Sequence, residues 1–348
     1  MTVRLVELFA GIGAQRMALM RAGIDHEVVG ISEIDRHALA SYEAIYGDCP
    51  NLGDIRQVES LPDCDLVTYS FPCQELSLAG KREGMAEGSG TRSALVWEVT
   101  RVLEATERKP EWLLMENVPA VLASDQWGRL VGTLESMGCR NVWGKLDSSG
   151  FGSAQKRVRA FMVSRLGKVP PILPRPEPCA CGPCLGDVMD RVREDRFVQR
   201  IPMSKVRWRK SAQEGSTPCA EIEGVIYYPG RVLYSSRGLA PTVMAYHSPS
   251  YRIKVVESNE SPDSSQHPWE HARVQGGDLL VSALTPRECW RLMGFPDWAY
   301  DRAATVSSEP QLYNQAGNSI VVEVLMAIFS VLFGSSKAAT QTTLEVSA

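Results

Sequence analysis

Residues 3–23 read VRLVELFAGIGAQRMALMRAG, and the way this stretch divides decides the fold. VRLVELF is an apolar run of strand length, while AQRMALMRAG has helical spacing and stops at Gly23. Between them, Gly11 and Gly13 stand where a strand must turn into a helix. Backbone can approach a ligand closely at such a turn, and the helix start offers free N–H groups. Outward from this stretch the alternation repeats. HEVVGISE predicts a second strand, and DRHALASYEAIYG a helix opened by Asp35 as N-cap and closed by Gly47. CDLVTYSF and EWLLMEN predict further strands, with SALVWEVTRVLEAT as a helix between them. This pattern implies an α/β fold of the Rossmann type, a mostly parallel sheet with helices on both faces. Right-handed crossovers then bring the strand ends to one edge, where ligands bind.

The chain has 348 residues, enough for one large domain and a smaller one, and 44% hydrophobic and 22% charged residues are ordinary for a globular protein. The most apolar segment, SIVVEVLMAIFSVLFG, is short and carries Glu323, so it predicts a buried helix packed back on the first domain. No membrane association is expected. The start lacks a signal peptide's apolar core, and nine scattered cysteines suit free thiols in a reducing compartment, so a cytoplasmic location is expected. A proline-rich break, LGKVPPILPRPEPCACGPC, places a boundary near residue 168. The expected division is 1–167, a smaller and mostly β unit at 168–283, a return segment at 284–334, and a frayed tail from 335 to 348. TPRECWRLMG opens the return segment with Thr285 and Glu288 placed as a capping box and Pro286 at the first helical position. The net charge of −4 hides a local excess, with eight basic against four acidic residues from Asp190 to Glu214.

Several constellations can carry chemistry. Arg16 stands where a dinucleotide fingerprint has its third glycine, which disfavours a pyrophosphate. Glu33, ending the second strand, is placed to bind ribose hydroxyls, so a nucleoside cofactor such as S-adenosylmethionine is expected. Cys73 follows Pro72 at the end of a later strand, with Gln74 beside it. A thiolate there is a candidate nucleophile, against the bland alternative of a small buried apolar side chain. Glu116 and Asn117 end the next strand, where a carboxylate can hold a proton on a heterocycle or simply cap the next helix. Gln155, Arg157 and Arg159 lie on one face of a strand, and the arginines are expected to face one cleft. Cys179, Cys181 and Cys184 have zinc-like spacing, but a fourth ligand is not evident, and no metal is expected. His267 and His271 flank a proline in a polar loop.

The ordered set FAGIG, SEID, GDI, FPCQ, GTRS, ENV, QKRVR, TPRECWRLMGFP and AGNS resembles the DNA (cytosine-5) methyltransferase family of bacterial and phage type, across residues 3–165 and 284–333. The resemblance implies that Phe9, Gly11, Gly13, Glu33, Ile34, Asp54, Ile55, Pro72 and Asn318 surround S-adenosylmethionine. It implies Cys73 as nucleophile on carbon 6 of a flipped-out cytosine, with Glu116, Arg157 and Arg159 as its catalytic partners. The loop from Glu75 to Thr91 would close over the base, with Gln74, Ser77, Asn117 and Gln155 near the substrate. Residues 168–283 would be the target-recognition domain, with Thr242 of APTVMA its recurrent feature and Lys205, Arg207 and Arg209 on phosphate. Arg92 stands where relatives often have an apolar cofactor contact. The implied partners are double-stranded DNA and a restriction endonuclease acting on the same site. The enzyme is expected to be a monomer, held on the nucleoid by its DNA. A tRNA cytosine-5 methyltransferase and a catalytically silent DNA-binding protein of the same fold are the alternatives, while a nucleotide-dependent oxidoreductase fails on the incomplete glycine fingerprint.

Overall fold

The computed structural model describes residues 2–72, 85, 91–176, 182–190, 194–208, 218–225, 231–245, 252–256 and 272–334. The opening stretch divides as its sequence predicts, into β1 (Val3–Leu8) and α1 (Ala14–Arg21). The chain continues through β2 (His26–Ser32), α2 (Arg36–Tyr46), β3 (Leu66–Tyr69), α3 (Val96–Ala105), β4 (Trp112–Asn117), α4 (Trp127–Ser136), β5 (Cys139–Asp147) and β6 (Val158–Leu166). Asp35 caps α2 by accepting from the amides of His37 and Ala38, and Gly47 ends it at a φ of 81°.

These strands form one sheet in the order β2-β1-β3-β4-β6-β5. β1 runs parallel to β2 and β3, and β3 to β4, whereas β6 is antiparallel to both its neighbours. Side chains alternate between two apolar layers. Leu5, Leu66, Leu114 and Val163 share one layer with Met17 and Leu19 of α1. Val6, Val67, Leu113 and Met162 share the other with α3 and α4. Because β1 to β4 are parallel, their carboxyl ends share an edge, and the antiparallel β6 begins there.

A second sheet of seven strands comes next in the chain, after the short α5 (Leu185–Val188). It comprises β7 (Val198–Pro202), β8 (Val206–Trp208), β9 (Pro218–Ile222), β10 (Val232–Ser235), β11 (Lys254–Val256), β12 (Val274–Gln275) and β13 (Asp278–Ala283). Its own apolar core includes Ile201, Ile222, Leu233, Val256, Leu279 and Val281. The chain then returns through α6 (Pro286–Leu292), α7 (Asp297–Ala304), α8 (Glu309–Asn318) and α9 (Val322–Phe333). Thr285 and Glu288 form the expected capping box at α6.

α9 packs against α1 and buries Val322, Val324, Leu325, Ile328 and Phe329. Each such side chain contributes about 1.5–3 kcal/mol when fully removed from water. Glu323 pairs with Arg21 of α1 at 2.7 Å. No single helix among the described residues is long and apolar enough to cross a bilayer.

Candidate active site

The glycine turn after β1 is built against the end of β2. The amides of Phe9 and Ala10 both donate to the Ser32 carbonyl, at 2.8 and 3.2 Å. Phe9 takes a φ of 59°, the one non-glycine residue among those described with a left-handed backbone. Such a conformation costs on the order of 1–3 kcal/mol and persists where surroundings over-determine it. Gly11 donates its amide to Glu33 at 2.8 Å, and a Cβ there would point into open space. Gly13 is needed for the opposite reason, because a Cβ would lie 2.6 Å from the Tyr46 ring and 2.7 Å from that of Tyr42.

Glu33 is fixed by three backbone amides, those of Gly11, Ile34 and Asp35. Burial pushes its carboxyl pKa up while those amides pull it down, and burial is the larger influence. Beside it, Ile34 is 70% exposed, an apolar side chain left uncovered at the ligand edge. Asp54 caps the short turn at 55–57 and is paired with Arg56, whose hydrogen bonds hold its pKa low. The Ile55 side chain is buried in the core below. Asn318 closes α8 with its side chain exposed.

These residues fit a nucleoside without a pyrophosphate. Glu33 is placed for ribose hydroxyls, and one amide of the first turn of α1, that of Arg16, is taken by the buried Glu7 at 3.2 Å and is not available to a phosphate. The Arg16 guanidinium is turned onto the rings of Tyr46 and Tyr42, 4.7 and 5.7 Å from their centroids. Glu7 also accepts from Tyr42 at 2.6 Å, and burial raises its carboxyl to a pKa of about 7. The sequence reading missed Glu7; an acid inside the apolar run VELF was the available signal.

Two strands along, register sets the second half of the site. Tyr69 of β3 pairs with Met115 of β4, so Ser70 comes beside Glu116 and donates to its carboxylate. Arg159, on β6, places Nε 3.4 Å from the other Glu116 oxygen and is further held by the Val158 carbonyl. Glu116 is buried, so the pair lies in a weakly screened setting. The chain after Ser70 leads through Phe71 to Pro72, whose carbonyl accepts from Ser93 at 2.9 Å. Cys73, Gln74 and Ser77 lie outside the described residues, as does the expected lid apart from Met85 and Thr91. Met85 is buried and accepts from the Trp97 indole at 2.6 Å.

The other expected site residues have partners within the protein. The Asn117 side chain donates to the Phe71 carbonyl at 2.9 Å and accepts from Val118 at 2.8 Å, fixing the turn after β3. Gln155 is fully buried, held by Leu292 and Val243. Arg157 and Arg159 have different partners. The Arg157 guanidinium donates through Nη1 and Nη2 to the carbonyls of Val243, Gly317 and Ser319, at 2.7, 3.0 and 2.9 Å. The Thr242 hydroxyl donates to the Lys156 carbonyl at 3.0 Å.

Lys205 is exposed, whereas the exposed Arg207 is paired with Glu223. Arg196 pairs with Glu194 and Glu309, so part of the basic excess is neutralised. Arg209, Cys179, Cys181, His267, His271 and the tail from residue 335 lie outside the described residues. Cys184 is the N-cap residue just before α5, its amide donating to Asp187. Among the described residues no cluster of His, Cys, Asp or Glu is placed to hold a metal ion.

The family model described as C-5 cytosine-specific DNA methylase matches residues 3–334. The type II methyltransferase M2.ScrFI of Lactococcus lactis subsp. cremoris is 30% identical, over 96% of this chain and 99% of its own. The orphan methyltransferase M.SssI of Spiroplasma monobiae is 34% identical, over 95% and 97%. The solved Entamoeba histolytica methyltransferase EhMeth, only 15% identical, superposes with a TM-score of 0.71 over 96% of this chain and 98% of that one, a likeness of fold.

Proposed function

Because this chain belongs to the C-5 cytosine-specific DNA methylase family, we propose that it methylates carbon 5 of a flipped-out cytosine at a specific duplex sequence, through a covalent adduct of Cys73. The observation that carries the proposal is the Ser70–Glu116–Arg159 cluster at the start of the segment leading to Cys73. S-Adenosylmethionine, when bound, supplies an electrophilic sulfonium methyl. Glu33, Ile34, Gly11 and Phe9 would hold it, with Asp54, Ile55, Pro72 and Asn318 completing the edge and Gly13 keeping the turn tight.

Carbon 5 of cytosine is a poor nucleophile on its own. Addition of the Cys73 thiolate to carbon 6 turns the ring into an enamine whose carbon 5 can be alkylated. Glu116 holds a proton at N3 and accepts from the exocyclic amine, offsetting charge as the thiolate adds. Arg159 keeps Glu116 oriented and reaches the ring carbonyl. Once carbon 5 is methylated, loss of its proton and departure of the thiolate restore both the aromatic ring and Cys73. A stacked base cannot enter this edge, so the cytosine must leave the duplex.

The division into a catalytic unit, residues 1–167 with 284–334, and a recognition unit at 168–283 is supported by the two separate sheets. The second sheet would read the duplex, with Lys205, Arg207 and Arg209 toward phosphate. A restriction endonuclease of the same specificity, a monomeric state and a place on the nucleoid in the cytoplasm complete the reading.

Bisulfite sequencing of plasmid DNA from cells expressing the protein, in a host without cytosine methylation, tests the reading. Protected cytosines in one short recurring context are expected. A fully converted plasmid with soluble, folded protein would overturn it in favour of an RNA substrate or a silent DNA binder.

A further inference from the structure

Segment 240–245, APTVMA, passes between two parts of the catalytic unit and is tied to both by its main chain. On one side lie the residues leading into β6. Gln155 and Ala240 form a parallel bridge, Ala240 N donates to Ala154 O at 2.7 Å, and Lys156 N donates to Ala240 O at 2.8 Å. The Gln155 side chain accepts from Val243 N at 3.0 Å and donates to Leu292 O at 3.3 Å. On the other side lies the end of α8. A Cβ on Gly317 would fall 2.1 Å from Ala245 N and 2.2 Å from the Met244 carbonyl carbon, so the two backbones touch with no room between them. Arg157 joins both sides, with Nη1 on Val243 O and Nη2 on Gly317 O and Ser319 O. It is 4% exposed.

We infer that Arg157 is a positioning residue whose guanidinium couples the recognition sheet to the catalytic edge. Three connections carry this. Segment 240–245 comes after β10 of the second sheet by a short turn. Arg157 lies two positions from Arg159, the partner of Glu116. Gly317 and Ser319 flank Asn318, at the cofactor edge. A planar guanidinium forms charge-assisted bonds in fixed directions and so holds three carbonyls in one arrangement, which a lysine ammonium cannot reproduce. Displacement of the recognition sheet is therefore transmitted to the strand that carries Arg159. The joint itself rests on geometry, while its consequence for DNA rests on the function proposed above.

The test uses Arg157→Lys and Gly317→Ala in the full chain, with amide hydrogen exchange and plasmid bisulfite sequencing as readouts. Arg157→Lys should speed exchange at Ala240 and Val243 about tenfold or more, leaving β1 and β3 amides unchanged. Methylation at the preferred context should fall about 100-fold, because a small misplacement is enough for that, and protected cytosines should spread to related contexts. Gly317→Ala should loosen the same amides from the opposite side. The double variant should show less than the sum of the two effects, since both act on one segment.

Lost methylation with exchange and context unchanged would make Arg157 a substrate contact and overturn the inference. Equal acceleration across β1 and β3, or strictly additive effects, would overturn it too. If the unaltered protein methylates no DNA, the proposed function fails, and the exchange data still decide the joint.

Discussion

The two sheets solve the problem of covering their faces differently. The first clothes both faces with helices, so that Leu5 and Val6, adjacent on β1, enter separate apolar layers. Among the described residues, the second shares one of its faces with the helices of the return segment. Leu233 and Val256 lie in its core, whereas their neighbours Val232, Tyr234 and Val255 belong to the same apolar cluster as Trp290 and Leu292 of α6. The second sheet thus shares part of its core with α6, and polar ties at 240–245 join it to the residues before β6 and to the end of α8. A unit built this way can diverge in its strands while keeping its placement.

The largest expected effect would break this comparison outright. Trp290→Ala, at a fully buried position whose indole donates to Leu312 O, should cost about 3–5 kcal/mol. Both sheets should then unfold in one transition at lower denaturant. Two separated transitions would show that the recognition sheet stands alone. Next in size, Glu116→Gln should lower methylation about 100- to 1000-fold through lost proton transfer and charge compensation. The methylated context should not move, since Glu116 lies on the first sheet and the proposed reading on the second. A changed context would blur that division of labour.

A smaller effect concerns the floor of the cofactor turn. Glu7 has its carboxyl pKa raised from 4.5 to about 7, chiefly by burial, with Tyr42 and Arg16 opposing the shift and Tyr46 and Cys49 nearby. For an acid shifted upward, the stabilising contribution is present below the unfolded pKa and is lost as pH rises through the folded one. Glu7→Gln keeps an acceptor for Tyr42 and removes this dependence. Relative to the unaltered protein, the variant should gain up to about 3 kcal/mol between roughly pH 5 and pH 8. Chemical denaturation at both pH values checks it, and parallel stability curves would show that Glu7 stays in one ionisation state. The smallest effect lies on the second sheet. Lys205→Ala together with Arg207→Ala should weaken DNA binding with little sequence preference and reduce the salt slope by about one to two units. An unchanged slope would mean that β8 faces away from phosphate.

Much of the first sheet is legible in the sequence because its signals are local. Strand runs, the Asp35 cap, the glycine stop at Gly47 and the Thr285–Glu288 box each depend on residues close together. The likeness of the ordered motifs to a known family supplied Glu116 and Arg159 as partners, which the structure brings together. Gln155 and Arg157 lie just before β6, where period-two spacing says nothing of the partners opposite them. The carbonyls that Arg157 binds are 86 to 162 residues away in sequence. Glu7 escaped for a related reason, since its partner Tyr42 lies 35 residues on.

The most direct test of the central claim uses a duplex carrying the methylated context with 5-fluorocytosine at the target position. Fluorine cannot leave as a cation, so the adduct should be trapped after methyl transfer. The account predicts a denaturant-stable protein–DNA adduct in the presence of S-adenosylmethionine, mapping to Cys73 by peptide mass spectrometry and absent in Cys73→Ser. Efficient methylation of ordinary duplex without any trapped adduct, or an adduct on another residue, would contradict it.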